Sequence, residues 1–137
     1  MEWNIALESL DEFVAEILPH LTKGSVIAFD GSMGAGKTTL IHEICRQKKV
    51  HSVVSSPTYS IINEYDAPEG TIYHLDLYRM SGEQEALDAG VEEVLYSGST
   101  CFIEWAERAP ALLPENTRTI EIAVEPDGKR KITMRIP

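Results

Sequence analysis

Gly31-Ser32-Met33-Gly34-Ala35-Gly36-Lys37-Thr38 matches the phosphate-loop pattern G-x-x-x-x-G-K-[ST]. Before it runs Ser25-Val26-Ile27-Ala28-Phe29-Asp30, an apolar stretch that reads as a buried strand. After it, Leu40, Ile41, Ile44 and Cys45 are spaced to give a helix an apolar face. Strand, glycine loop and helix in this order are the context the pattern requires. Three glycines let the backbone curl around phosphate oxygens with N–H groups turned inward. The helix N-terminus adds unpaired donors and a partial positive charge. Lys37 is spaced to reach β- and γ-phosphates, and the Thr38 hydroxyl to ligate Mg²⁺. The expected nucleotide-binding run is therefore Gly31 through Thr39.

Working outward, Leu7, Leu10, Phe13, Val14, Ile17, Leu18 and Leu21 predict a first helix, with Ser9 and Glu12 as a capping box. Beyond the loop helix, Lys48-Lys49 makes a basic helix end that suits the dipole. Pro57 in Ser55-Ser56-Pro57-Thr58 forces an extended turn. Tyr59 to Tyr65 and Thr71 to Asp76 then read as a hairpin around Asp66-Ala67-Pro68-Glu69-Gly70. Ser81 with Gln84 predicts another helix cap, and Gly90 a break among Leu87, Val91, Val94 and Leu95. Cys101-Phe102-Ile103 predicts a short strand ending at Glu104-Trp105, with a short helix over 106–113. Ile120, Ile122, Val124 and Ile132, Met134, Ile136 alternate around Pro126-Asp127-Gly128, a second hairpin. The fold expected is a single three-layer α/β phosphate-loop domain over residues 1–137. Its central sheet must be mixed, because the hairpins add antiparallel pairs.

The bulk properties narrow the function. A chain of 137 residues leaves little room for the lids and substrate domains of small-molecule kinases. No apolar run is long enough to span a membrane. A formal net charge of -10 argues against direct nonspecific binding of nucleic acid. Met1-Glu2-Trp3-Asn4 lacks the basic region and apolar run of a secretory signal. Cys45 and Cys101 are expected as buried free thiols, in keeping with a cytoplasmic location. His20, His42, His51 and His74 show no zinc spacing.

Hydrolysis needs a held metal and a positioned water. Strand ends of an open α/β sheet face the ligand crevice, which singles out Asp76 and Glu104. Either could hold Mg²⁺, directly or through water, or orient the attacking water; alternatively each is a solvated carboxylate past a strand. Thr58 lies in a hydroxyl-rich loop of the kind that orders around γ-phosphate in nucleotide switches, although ordinary turn chemistry also accounts for it. Trp105 reads as core, stacking surface or partner contact. His74 and Tyr78 read as packing residues, and Arg79 as a phosphate ligand or a partner of an acid.

Four stretches, in order, resemble one family: Gly34-Ala35-Gly36-Lys37-Thr38-Thr39; Ser56-Pro57-Thr58-Tyr59 with Asn63-Glu64-Tyr65; His74-Leu75-Asp76-Leu77-Tyr78-Arg79; and Ile103-Glu104-Trp105. Together they are similar to the bacterial TsaE (YjeE) family. The resemblance implies an ATPase of tRNA threonylcarbamoyladenosine synthesis at adenosine 37, with ATP and Mg²⁺ as cofactors. The implied partners are TsaB and TsaD, with tRNA engaged indirectly and no membrane. On this likeness TsaE drives turnover of the pair and does not transfer the group itself. Lys37, Asp76 and Glu104 take the catalytic positions, and Thr38, Glu104 and Asp76 the metal positions. Gly31, Ser32, Met33, Gly34, Ala35, Gly36, Lys37, Thr38, Thr39, Thr58 and Trp105 take the nucleotide positions. Ser32-Met33 departs from the family's usual acidic residue and leucine, and Ala106 from its usual proline.

Three other readings compete. A small-molecule kinase would need a basic lid, and the 12 Lys and Arg form no cluster that suggests one. A GTPase would need N-K-x-D, whereas Asn63-Glu64-Tyr65-Asp66 carries Glu in place of Lys. A nucleotide-gated binding module, which docks a partner without hydrolysis, is poorly separated from the ATPase by sequence.

Overall fold

The computed structural model describes residues 1–53 and 61–136. In chain order the elements are β1 (Glu2–Ile5), α1 (Leu10–Ile17), β2 (Val26–Asp30), α2 (Lys37–Gln47), β3 (Ser52–Val53), β4 (Ile62–Ala67), β5 (Gly70–Asp76), α3 (Glu83–Asp88), α4 (Val91–Leu95), β6 (Thr100–Glu104), β7 (Arg118–Val124) and β8 (Arg130–Arg135). The expected turn at Ser55-Ser56-Pro57-Thr58 and the expected strand start at Tyr59 lie outside the described residues.

Four consecutive residues of β2 are buried, so both of its faces need cover. It accordingly lies inside an eight-stranded sheet of order β1-β8-β7-β2-β6-β5-β4-β3. Its neighbours β6 and β7 both run parallel to it, and β5 runs parallel to β6. The hairpins β4–β5 and β7–β8 add antiparallel pairs on either side. The mixed sheet read from the sequence is therefore present.

One sheet face buries Ile27, Phe29, Ile72, Phe102, Ile120 and Ile122 with α1 and α2. The other buries Val26, Ala28, Leu75, Cys101 and Ile103 with α3, α4 and the turns after β6. Phe29 and Phe102 meet edge to face at 5.8 Å, the geometry favoured by ring quadrupoles. Burial pushes the thiols of Cys45 and Cys101 up to about 12, so both are protonated and unreactive. Among the described residues, no helix is long and apolar enough to cross a membrane.

Several local expectations change. The sequence reading omitted β1, whose Trp3 and Ile5 alternate with Glu2 and Asn4 and which pairs antiparallel with β8. Four residues are too few for periodicity alone to separate from loop. Ser9 makes no side-chain cap bond, because α1 continues directly from a 3-10 turn over Leu7–Ser9. At α3, Gly82 occupies the N-cap, and Glu85 rather than Gln84 reaches back, accepting from Ser81 N–H at 3.0 Å and Ser81 Oγ at 2.5 Å. Gly90, at φ 85°, separates α3 from α4 as expected.

The expected helix over 106–113 is two 3-10 turns, Ala106–Arg108 and Pro110–Leu112. Pro110 disfavours helical backbone at Ala109, whose φ is -147°. Lys48 does more than suit the dipole: its Nζ meets Glu69 Oε1 at 2.7 Å, and Glu69 Oε2 accepts from Thr100 Oγ1 at 2.5 Å. These bonds tie the end of α2 to the β4–β5 turn and the start of β6.

Candidate nucleotide site

The loop after β2 is pressed against the sheet. A Cβ on Gly31 would come within 2.7 Å of the Ile122 carbonyl oxygen, closer than real contacts allow. At the other end of the loop, Gly36 takes φ 106° as the N-cap of α2, a backbone conformation costly for side-chain residues. The loop is also held from the last hairpin: Arg130 Nε donates to the Ala35 carbonyl at 2.9 Å and Nη1 to the Gly128 carbonyl at 2.6 Å. Arg130→Ala should therefore loosen the loop. We expect nucleotide affinity to fall roughly 10-fold, the worth of one charged hydrogen bond, with β7–β8 intact. Titration calorimetry checks this, and unchanged affinity would show that the clasp is irrelevant to the loop.

Lys37 opens α2 and is 6% exposed. Its Nζ donates to the Gly31 carbonyl at 2.8 Å and lies 3.6 Å from the centroid of the Trp105 ring. Among the described residues it forms no ion pair. A buried ammonium served by a carbonyl and a ring face, with no carboxylate in direct contact among the described residues, is electrostatically suited to an anion.

Parallel pairing of β5 with β6 sets Asp76 opposite Glu104 at the C-terminal strand ends. Period two then puts His74 and Asp76, like Phe102 and Glu104, on the face that carries α2. Glu104 is 3% exposed, with both carboxylate oxygens engaged. Thr38 Oγ1 donates to Oε1 at 2.8 Å, and His74 Nε2 lies 2.7 Å from Oε2. The remaining ring nitrogen of His74 lies 3.2 Å from the Tyr65 hydroxyl. Burial pushes the Glu104 carboxyl up, but hydrogen bonds from His74 and Thr38 and the nearby charge of Lys37 prevail and hold it below its ordinary value.

Asp76 is exposed, and its Oδ1 accepts from the Tyr78 N–H at 3.0 Å. Trp105 adopts φ 61°, a left-handed conformation that costs a non-glycine residue about 1–2 kcal/mol. The turn delivers its indole over Lys37, with the Tyr78 ring 5.0 Å away.

Met33, Gly34, Gly36, Lys37, Thr38, Thr39, Asp76, Tyr78, Glu104 and Trp105 thus line one cleft of about 350 Å³. Of the other expected positions, Gly31 lies under the loop, and Ser32 accepts from the Ala35 N–H at 3.0 Å to close a turn there. Thr58 lies outside the described residues. The donor set fits a magnesium nucleotide: a hydroxyl and a carboxylate side by side are hard oxygen ligands, next to an ammonium and a helix N-terminus for phosphate.

The sequence reading did not place His74, Tyr65 or Arg130 in the site. Period two along β5 puts His74 on the same face as Asp76, and that was the available signal. Arg130 is 95 residues from Ala35, and only the tertiary fold joins them.

Residues 6–132 match the family model described as "Threonylcarbamoyl adenosine biosynthesis protein TsaE". Among curated relatives, the tRNA threonylcarbamoyladenosine biosynthesis protein TsaE of Treponema pallidum is 36% identical over 114 residues, 83% of this chain and 84% of that protein. The protein of the same name from Bacillus subtilis is 32% identical over 97% of this chain and 84% of its own. That from Aquifex aeolicus is 35% identical, covering 94% and 92% respectively. The crystal structure of Bacillus subtilis YdiB superposes with a TM-score of 0.71 at 26% identity, covering 100% of this chain and 86% of that one. The family model and the relatives each match most of the chain, and the chain belongs to the TsaE family.

Proposed function

We propose that this chain is a Mg²⁺-dependent ATP-binding and ATP-hydrolysing subunit of cytoplasmic tRNA threonylcarbamoyladenosine synthesis. It acts with the TsaB and TsaD proteins to drive their turnover at adenosine 37 and does not transfer the group itself. The observation that carries the reading is Thr38 against Glu104 at 2.8 Å, beside the buried ammonium of Lys37. Family membership supplies the pathway, since the relatives are named for threonylcarbamoyladenosine biosynthesis.

The residues divide the work by chemistry. Loop N–H groups and the α2 N-terminus bind phosphate oxygens. Lys37 turns from the Gly31 carbonyl and the Trp105 face toward the β- and γ-phosphates. Thr38 can offer an oxygen lone pair to the cleft while still donating its proton to Glu104. Bound there, Mg²⁺ would neutralise charge on the phosphate oxygens. Glu104 belongs to the metal's surroundings, because it is bonded to Thr38. Asp76, with an exposed carboxylate on the cleft, is suited to orient the attacking water.

The test is ATP turnover by this protein alone and with purified TsaB and TsaD. Slow turnover that the pair accelerates supports the reading. Nucleotide-dependent docking without hydrolysis would replace it with a gated binding module. Absence of nucleotide binding would remove it.

A further inference from the structure

The hydrogen bonds around Glu104 continue away from the cleft. Thr38 on α2, Glu104 on β6, His74 on β5 and Tyr65 on β4 form one chain of side chains, with successive distances of 2.8, 2.7 and 3.2 Å. Glu104, His74 and Tyr65 are 3%, 5% and 8% exposed, so water does not compete for these bonds. We propose that His74 and Tyr65 are positioning residues that hold the Glu104 carboxylate in its metal-ready orientation. This inference rests on the nucleotide-site reading above.

Donor and acceptor counting sets the direction of the chain. The carboxylate of Glu104 only accepts, so His74 Nε2 must carry a proton and donate to Oε2. In the neutral ring Nδ1 is then an acceptor, and the Tyr65 hydroxyl is the group beside it that can donate. Tyr65 thereby satisfies Nδ1 and reinforces the Nε2–H form of His74 that the carboxylate requires. His74 in turn fixes Oε2, which leaves Oε1 turned toward Thr38 and the cleft. A carboxylate with one oxygen unheld could rotate about its last side-chain bond, which is a broad torsion. Buried and short of a donor, it would carry an uncompensated desolvation cost. Such outer partners of a metal-binding group typically contribute 10- to 100-fold in metal affinity.

The phosphates themselves are held by the loop backbone and Lys37, so the consequence is selective. Removing His74 should weaken the part of nucleotide binding that depends on Mg²⁺ and spare the part that does not.

The experiment measures the affinity of a nonhydrolysable ATP analogue in EDTA and in Mg²⁺ by titration calorimetry. His74→Leu should lower the Mg²⁺-dependent gain by about 10-fold or more. Its affinity in EDTA should stay within about 2-fold, because loop and helix N-terminus are untouched. His74→Gln, which can present an N–H in place of Nε2, should retain most of the gain. Tyr65→Phe should lower it by about 2- to 10-fold, the range of one neutral hydrogen bond.

Side-chain ¹H–¹⁵N spectra supply a second readout, in which wild-type His74 carries its proton at Nε2 and Tyr65→Phe shifts the Nδ1 resonance by removing the hydrogen bond that nitrogen accepts. A merely structural role would not produce that change. Should His74→Leu fail to fold, His74→Gln, Tyr65→Phe and the spectra decide the matter. An undiminished Mg²⁺ gain in both His74→Leu and Tyr65→Phe overturns the inference, as does an Nδ1-protonated ring in wild type. If Lys37→Ala abolishes binding while those variants behave as wild type, the nucleotide site stands and the positioning role falls. If wild type binds no nucleotide, both fall.

Discussion

Lys37→Ala will lower nucleotide affinity by about 10²-fold or more and leave the protein folded. The first part follows from losing a charge-assisted donor to two phosphates, each such bond being worth about 1.5–3 kcal/mol. The second follows from what Lys37 touches in the protein. Its ammonium meets the Gly31 carbonyl and the Trp105 ring, and the buried Glu104 keeps its hydrogen bonds to Thr38 and His74 without it. The thermal midpoint should therefore stay within a few degrees of wild type, about what 1 kcal/mol would shift it in a chain of this size.

Trp105 is a built-in reporter for this experiment, since Lys37 Nζ lies 3.6 Å above its ring. The chain has two tryptophans, and Trp3 packs against Phe13 and does not line the cleft. A Trp3→Phe background thus isolates the cleft signal. Nucleotide should change Trp105 emission in that background, and Lys37→Ala should abolish the titration. A full-sized titration in the alanine variant would refute the phosphate role of Lys37.

The second large effect is expected at Glu104. Glu104→Gln should reduce partner-stimulated turnover by about 10²-fold, the scale of losing a preorganised electrostatic group. Metal-free nucleotide affinity should be nearly unchanged, because the loop and Lys37 are intact. Turnover equal to wild type would eliminate the proposed role.

The same substitution has a pH signature. In the folded protein the Glu104 carboxyl lies below its ordinary value, despite the opposing effect of burial. A depressed folded value contributes stability above the unfolded pKa, near pH 4–5, and loses it as pH falls through the folded value. Wild type should exceed Glu104→Gln by about 1–3 kcal/mol at pH 7, with the gap closing progressively below pH 4. Thermal melts across pH 3–7 measure it, and a constant gap would mean that the carboxylate's hydrogen bonds are not what stabilises it.

The strand, loop and helix around Gly31–Thr38 were legible because each has a strong local signal. An apolar run, left-handed glycines and helical spacing are properties of adjacent residues. Both hairpins were legible for the same reason, through period two and turn chemistry. Asp76 and Glu104 could be singled out as strand-end acids, though nothing local could distinguish them. Boundaries failed where two local rules compete: Ser9 could cap a helix, but a 3-10 turn had already begun there.

The sequence by itself thus determined the fold class and the loop and helix-start residues that line the cleft, because backbone geometry and charge are set within a few positions. Only the tertiary structure decided that Glu104 meets Thr38, 66 residues away, and that Asp76 stays exposed at the cleft. It also brought Arg130 to the loop and His74 and Tyr65 behind Glu104. Those contacts depend on strand order and register, which arise when the whole sheet buries both its faces. Which acid became buried, and which donors came to satisfy it, is a property of that packing.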